Sequence, residues 1–294
     1  MRKGLIILLA AMMLAGCGSG EDSSGEKLSV TETTTVKETT AAQPEKAELS
    51  AGFYKIAMDT ALYYGDSAVP SGEEMICRGE PSPSGGLKIS VPIKTGVNEL
   101  NEAQYEYRQY SVKDIGSVTL LSDEEVRQAV VDYALAMSEK PSQTYELSGE
   151  YVGETDTRSD CSGMTELAYL TVGIYLEHYA DAQASGGEMV YDNLSYVADV
   201  SDVETYRVKD PNASVDYSQL KKGDLLFFLC STNSSSDNNS FTEDGIGHVG
   251  MYIGDGKMVH FTADYGIYNH PCRTEDLDDY QSRVLKVMRV TRYI

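Results

Sequence analysis

Three side chains in this sequence have the types and spacing for nucleophilic catalysis. They are Cys161, within Ser159-Asp160-Cys161-Ser162-Gly163, and two histidines, His248 and His260, within the glycine-flanked segment 245–261. A thiol attacks carbonyl carbon once its proton is taken, an imidazole takes and returns protons near neutral pH, and a second polar group orients the imidazole. Asp160 or Ser159 is placed to cap a helix that begins at Cys161, so the thiol falls in the first turn, beside free backbone N–H groups and the positive end of the dipole. That position predicts a lowered thiol pKa, and the same N–H groups suit an oxyanion.

The histidines matter only if they share a face, and the turn between them decides that. With a three-residue loop, Gly254 to Gly256, position 251 pairs with 259 and 249 with 261. Val249, Met251, Val259 and Phe261 then line one apolar face, while His248, Gly250, Tyr252, His260 and Thr262 line the other. A two-residue loop would separate the histidines. The odd loop, with Gly256 at a left-handed bulge position, is therefore expected, and it makes His248 and His260 diagonal cross-strand neighbours.

The elements that must hold these groups can be read around them. Ser122-Asp123-Glu124-Glu125 forms a capping box, followed by Val126, Ala129, Val130, Tyr133 and Met137 at helical spacing, with Pro141 beyond the end. A second helix is expected from Ser162 to about Tyr179, apolar nearly all round, with His178 at its end as a cation suited to the dipole. Strands are expected over Asp224 to Cys230, His248 to Ile253, Lys257 to Thr262 and Val284 to Val290, with polar surface loops over Ala180 to Ser218 and Ser231 to Asp244. Helix first and antiparallel strands after is an α+β order, and residues 122–294 are expected to form this domain.

Upstream, residues 51–121 carry short β-like stretches broken by Gly, Pro and Ser and predict a small all-β domain. Residues 18–50, rich in Thr, Ser and Glu with few large apolar side chains, predict a tether that spans roughly 30 Å as a coil. Residues 1–17 have a charged start and a short apolar run ending in Leu14-Ala15-Gly16-Cys17. That run resembles the lipobox of bacterial lipoproteins, which implies acylation at Cys17, an extracytoplasmic location and membrane attachment through lipid.

The constellation resembles the NlpC/P60 family of papain-like peptidoglycan endopeptidases. Asp160-Cys161-Ser162-Gly163, Gly223-Asp224-Leu225 and His248-Val249-Gly250 stand in the family's order, and His260 falls at its third catalytic position. The resemblance implies a papain-like α+β fold and hydrolysis of amide bonds in the peptide stem of peptidoglycan, of the γ-D-glutamyl-diamino acid type. Cys161 would be the nucleophile, His248 the base and His260 its orienting group. Ser162 N–H and Tyr151 would face the oxyanion, and Arg158 a substrate carboxylate. The family's Tyr-x-Trp-Gly-Gly run is absent: Glu150-Tyr151-Val152-Gly153-Glu154 stands in its place, one residue out of register. The β region weakly resembles bacterial SH3-type wall-targeting domains through Phe53-Tyr54-Lys55-Ile56 and Tyr105-Glu106-Tyr107-Arg108. Two rival readings stand beside this one: a CHAP-type amidase or acyl-transferring relative, and a non-catalytic wall-binding lipoprotein.

Composition limits the remaining classes. The 294 residues carry 46 acidic and 24 basic side chains, a net charge of −22, which opposes phosphate backbones and makes nucleic acid an unsuitable partner. No Cys, His or carboxylate cluster has metal-ligand spacing and no glycine-rich phosphate loop occurs, so neither metal nor cofactor is expected, and the protein is expected to be a monomer. Cys77, Cys161, Cys230 and Cys272 show no paired spacing, which leaves a Cys230–Cys272 bridge as an open alternative.

Overall fold

The computed structural model describes residues 49–56, 62–64, 67–69, 75–99, 103–112, 118–152, 155–199, 204–229, 240–242, 246–262 and 270–290. Cys17, Cys230 and almost all of the expected tether lie outside them. Residues 49–294 form one compact unit.

Its first part is a seven-stranded antiparallel sheet. The strands are β1 (Gly52–Ile56), β2 (Leu62–Tyr64), β3 (Ser67–Val69), β4 (Met75–Pro81), β5 (Leu87–Val97), β6 (Ala103–Val112) and β7 (Val118–Leu121), in the spatial order β3-β2-β6-β5-β4-β1-β7. Alternation in β1 sends Tyr54 and Ile56 into a small core with Cys77, Leu87, Ile89 and Val112, while Phe53 turns the other way into the main core. The sheet and the remainder of the unit therefore share buried surface. The Tyr175 backbone N–H donates to the Tyr107 hydroxyl at 2.9 Å, and the Tyr105 and Tyr175 rings lie 4.9 Å apart.

The second part opens with α1 (Asp123–Ser138), where the Ser122 hydroxyl accepts from the Glu125 N–H and the Glu125 carboxylate accepts from the Ser122 N–H. Next come β8 (Ser142–Tyr145), β9 (Glu150–Val152) and β10 (Asp156–Ser159), a three-stranded sheet that delivers the chain to α2 (Cys161–Leu170). After α2 follow α3 (Ala180–Gln183), β11 (Glu188–Asp192), β12 (Leu194–Asp199) and β13 (Glu204–Val208), then β14 (Leu225–Leu229) and β15 (Ser240–Thr242). The chain ends with β16 (Ile246–Gly254), β17 (Lys257–Phe261), β18 (Cys272–Asp276) and β19 (Val284–Arg289). A six-stranded antiparallel sheet, β11-β19-β14-β16-β17-β18, backs α1 and α2, so the fold is α+β as expected.

This sheet is buried on both faces. Leu225, Phe227, Val249, Met251, Val259 and Phe261 join the α1 and α2 core, while Leu226, Phe228, Tyr252 and Met258 join a second cluster with Val215, Leu220 and Leu277. At the start of β14, buried Asp224 accepts from Arg289 Nε at 3.0 Å and Nη2 at 2.8 Å, and Arg127 of α1 lies 3.6 Å away. The Gly-Asp-Leu segment thus joins a helix to two strands.

Two expectations about elements are corrected. The second helix ends at Leu170, far short of Tyr179, because Gly173 adopts a left-handed φ of 73°. Val172 and Ile174 are nevertheless buried, and an apolar run that is buried all round reads the same whether helical or not. The stretch 180–218 is not a loop: it supplies α3 and β11 to β13, with β11 pairing on β19 and β12 on β13. Cys77, Cys161 and Cys272 are free thiols.

Candidate active site

Cys161 is the first residue of α2, and Asp160 is its cap: the Asp160 carboxylate accepts from the Gly163 N–H at 2.7 Å and the Ser162 hydroxyl at 3.0 Å. Gly163 is required by packing, since a Cβ there would lie 2.6 Å from the Gly149 carbonyl. This close approach lets the β8–β9 turn press against the helix start. Cys161 is buried, and the Val249 N–H, the Ser162 N–H and the Tyr145 hydroxyl lie where they favour its thiolate. Val249 follows His248 directly, so the thiol lies against the histidine-bearing strand.

The expected lowering of the thiol pKa is not found. Burial, and then the adjacent Asp160 carboxylate, push the Cys161 thiol up to about 11, and the three donors offset only part of this. The helix-terminal position favours thiolate, but here the cap that creates it is itself an anion.

The hairpin register is as expected: Met251 pairs with Val259 and Gly250 with His260. The turn achieves it differently. Its loop is the two residues Asp255 and Gly256, with φ of 52° and 68°, and β16 carries a bulge between Tyr252 and Gly254. The extra residue in the bulge restores the parity that a two-residue loop alone would break. His248 and His260 consequently share a face, with His248 Nε2 and His260 Nδ1 2.9 Å apart.

Beyond them lies Glu275 of β18, whose Oε2 is 3.3 Å from His260 Nε2. Glu275 also accepts from Arg273 and from the Tyr280 hydroxyl. The contact with His260, opposed by burial and reinforced by Tyr280 and Arg273, holds the Glu275 carboxyl far below the carboxylate range. This anion favours the His260 tautomer with its proton on Nε2; in that tautomer Nδ1 accepts from His248 Nε2–H and His248 Nδ1 keeps its lone pair. Burial, then His260, Arg283 and Arg273, lower the His248 pKa well below the ordinary imidazole range. His248 is thus uncharged, and the Cys161 thiol keeps its proton.

Tyr145 is the tyrosine that the structure places on the Cys161 sulfur. Tyr151 lies in β9, paired with Arg158. Arg158 is exposed on β10 and lines a separate cavity of about 270 Å³ with Lys94, Glu146 and Glu150. The structure therefore brings together Cys161, Ser162, His248 and His260, and adds Tyr145 and Glu275. The sequence signal for Tyr145 was the pair Tyr145 and Gly149 upstream of the nucleophile, obscured by a Tyr-Val-Gly run nearer to it. Glu275 carries no local signal, since cross-strand pairing of β17 with β18 brings it to His260.

Chain spacing suggests no metal ligands, yet folding places Glu150, Glu166 and His178 with ligand-type atoms within 4.8 Å of one another. His178 already meets carboxylates through both ring nitrogens, Glu166 at 2.9 Å and Asp160 at 3.2 Å, so the cluster is occupied by its own imidazolium. This also corrects the placement of His178. It does not cap a helix C-terminus but returns to the N-terminus of α2.

Comparison with known proteins bears on this geometry. The NlpC/P60 family model matches residues 150–289, a span that contains Cys161, His248, His260 and Glu275. Residues 150–289 are an NlpC/P60 family domain. A gamma-D-glutamyl-L-lysine dipeptidyl-peptidase of Bacillus cereus is 28% identical over 110 residues, 37% of this chain and 23% of that protein. The peptidoglycan endopeptidase RipA of Mycolicibacterium smegmatis is 25% identical over 129 residues, 43% of this chain and 18% of that protein. The matches thus span less than a quarter of each of these relatives. NlpC1 from Trichomonas vaginalis aligns at a TM-score of 0.40 with 13% identity, over 84% of this chain and 95% of the other. Tyr145 and α1 precede the matched residues.

Proposed function

We propose that this chain is a cysteine endopeptidase that hydrolyses amide bonds in the peptide stem of peptidoglycan, at a γ-D-glutamyl-diamino acid linkage. The observation that carries the proposal is the chain of contacts Glu275, His260, His248, which runs across three strands and ends on the one whose Val249 lies at the Cys161 sulfur. Names of the family's relatives support the substrate class.

In this reading His248 Nδ1 takes the Cys161 proton as the sulfur attacks the carbonyl carbon, then returns it to the leaving amine. The Tyr145 hydroxyl and the Ser162 N–H stabilise the developing oxyanion. Water then hydrolyses the thioester with His248 again as base, releasing the acid and restoring the thiol. His260 and Glu275 keep the imidazole in the tautomer that allows both transfers. Acylation at Cys17, an extracytoplasmic site, attachment through lipid, a monomeric state and wall contact by an SH3-like β part belong to the same proposal; Leu14-Ala15-Gly16-Cys17 supports the first three and the all-antiparallel sheet the last. Incubating the purified protein with muropeptides of known sequence and weighing the products tests the reaction.

A further inference from the structure

Asp160 adjoins Cys161 and caps its helix, so whatever fixes the Asp160 carboxylate also fixes the nucleophile. Its Oδ1 accepts from Gly163 and Ser162, and its Oδ2 from the Ser148 N–H at 2.8 Å and from His178 Nε2 at 3.2 Å. The other ring nitrogen, His178 Nδ1, is 2.9 Å from Glu166 Oε2 in α2 and 3.7 Å from Glu150 Oε1 in β9. The Asp160 carboxylate makes Nε2 a donor, and Nδ1 donates when Glu166, whose carboxyl burial pushes up to about 7, is ionised, so above that pH the ring is an imidazolium. His178 is 5% exposed and Glu166 1% exposed, so the ring is buried among three carboxyl groups. Lys94, 3.2 Å from Glu150, faces the group from β5, and the Tyr179 ring packs edge-on against the imidazole.

We propose that His178 is a positioning residue for Cys161: its imidazolium locks the Asp160 cap and offsets part of the charge that opposes ionisation of the adjacent thiol. The proposal rests on the reading of Cys161 as nucleophile. Burial alone would lower the His178 pKa, but Asp160 and Glu166 outweigh it and raise it to about 10, so the cation persists across the physiological range. Asp160 is the neighbour whose charge raises the Cys161 pKa, which makes the link between His178 and the thiol electrostatic as well as geometric.

The test is alkylation of the full chain by iodoacetamide between pH 6 and 10, resolved by residue with mass spectrometry, in wild type, His178→Gln and His178→Arg. His178→Gln should slow Cys161 labelling at pH 8 by roughly three- to tenfold, the effect of half to one pKa unit, and displace its rate–pH curve upward. His178→Arg, which keeps a cation with several donors, should recover most of the rate, and buried Cys272 should label as in wild type. An unchanged Cys161 profile in folded His178→Gln overturns the proposal. Should that variant not fold, nitrogen chemical shifts of His178 in the wild type decide: both nitrogens protonated at pH 8 support the role, and a neutral ring overturns it. Alkylation needs no peptide substrate, so failure of muropeptide cleavage would remove the proposed reaction while leaving this result standing.

Discussion

Oε2 of Glu275 lies 3.3 Å from Nε2 of His260, on the side of the ring away from His248. This relationship turns a pair of histidines into a directed chain. An anion at one end sets the tautomer of the middle ring, and the middle ring sets that of the base. Tyr280 packs edge-on against His260 with ring centroids 5.7 Å apart and also donates to Glu275, so the carboxylate is held from two directions.

Glu275→Gln should therefore retain the fold and lower kcat on muropeptides by about tenfold, with KM nearly unchanged, because orientation of a general base is weakened while substrate contacts remain. Steady-state kinetics check this. Equal kcat values would remove Glu275 from the chain.

Tyr145→Phe removes one hydroxyl from the sulfur's surroundings. A roughly hundredfold fall in kcat is expected, the loss associated with one oxyanion donor. Tyr151→Phe serves as the comparison and should have a much smaller effect. The reverse ranking would return the oxyanion role to Tyr151.

The thiol and the base should titrate as neutral partners. Burial and Asp160 place Cys161 at about 11, and burial with His260 keeps His248 uncharged. Alkylation of Cys161 should thus keep rising with pH above 8, without the neutral-pH plateau of a preformed thiolate–imidazolium pair. A plateau below pH 7 would show that the ion pair exists in the resting protein.

Stability should report His178 independently of catalysis. Its folded pKa of about 10 lies above the ordinary 6.5, so its stabilising contribution is complete below pH 6.5 and is lost as pH rises toward 10. The Tm gap between wild type and His178→Gln should narrow as pH rises from about 7 toward 10. A gap that widens with pH would contradict the assignment.

What could be read from the chain was what is encoded locally. Ser122 and Glu125 are three residues apart and cap α1 by themselves, and alternation through Val249, Met251, Val259 and Phe261 fixed which residues face the core. Parity of the turn correctly paired Met251 with Val259, although a bulge and a two-residue loop replaced the three-residue loop. Tyr145, Glu275 and His178 reach their partners through packing of β8, through pairing of β18 with β17, and through the return of the chain after α2. None of those is a periodicity or a spacing. The thiol pKa departs from the sequence expectation for a related reason: helix position is visible in sequence, but burial by residues far along the chain is not.

The central claim is that Cys161 performs amide hydrolysis on peptidoglycan stem peptides, and product analysis tests it most directly. Wild type and Cys161→Ala, shown to be equally folded by circular dichroism, are incubated with defined muropeptides and the products identified by mass spectrometry. The wild type should release fragments split between the γ-D-glutamyl residue and the diamino acid, and Cys161→Ala should release none. Cleavage retained in folded Cys161→Ala would contradict the account.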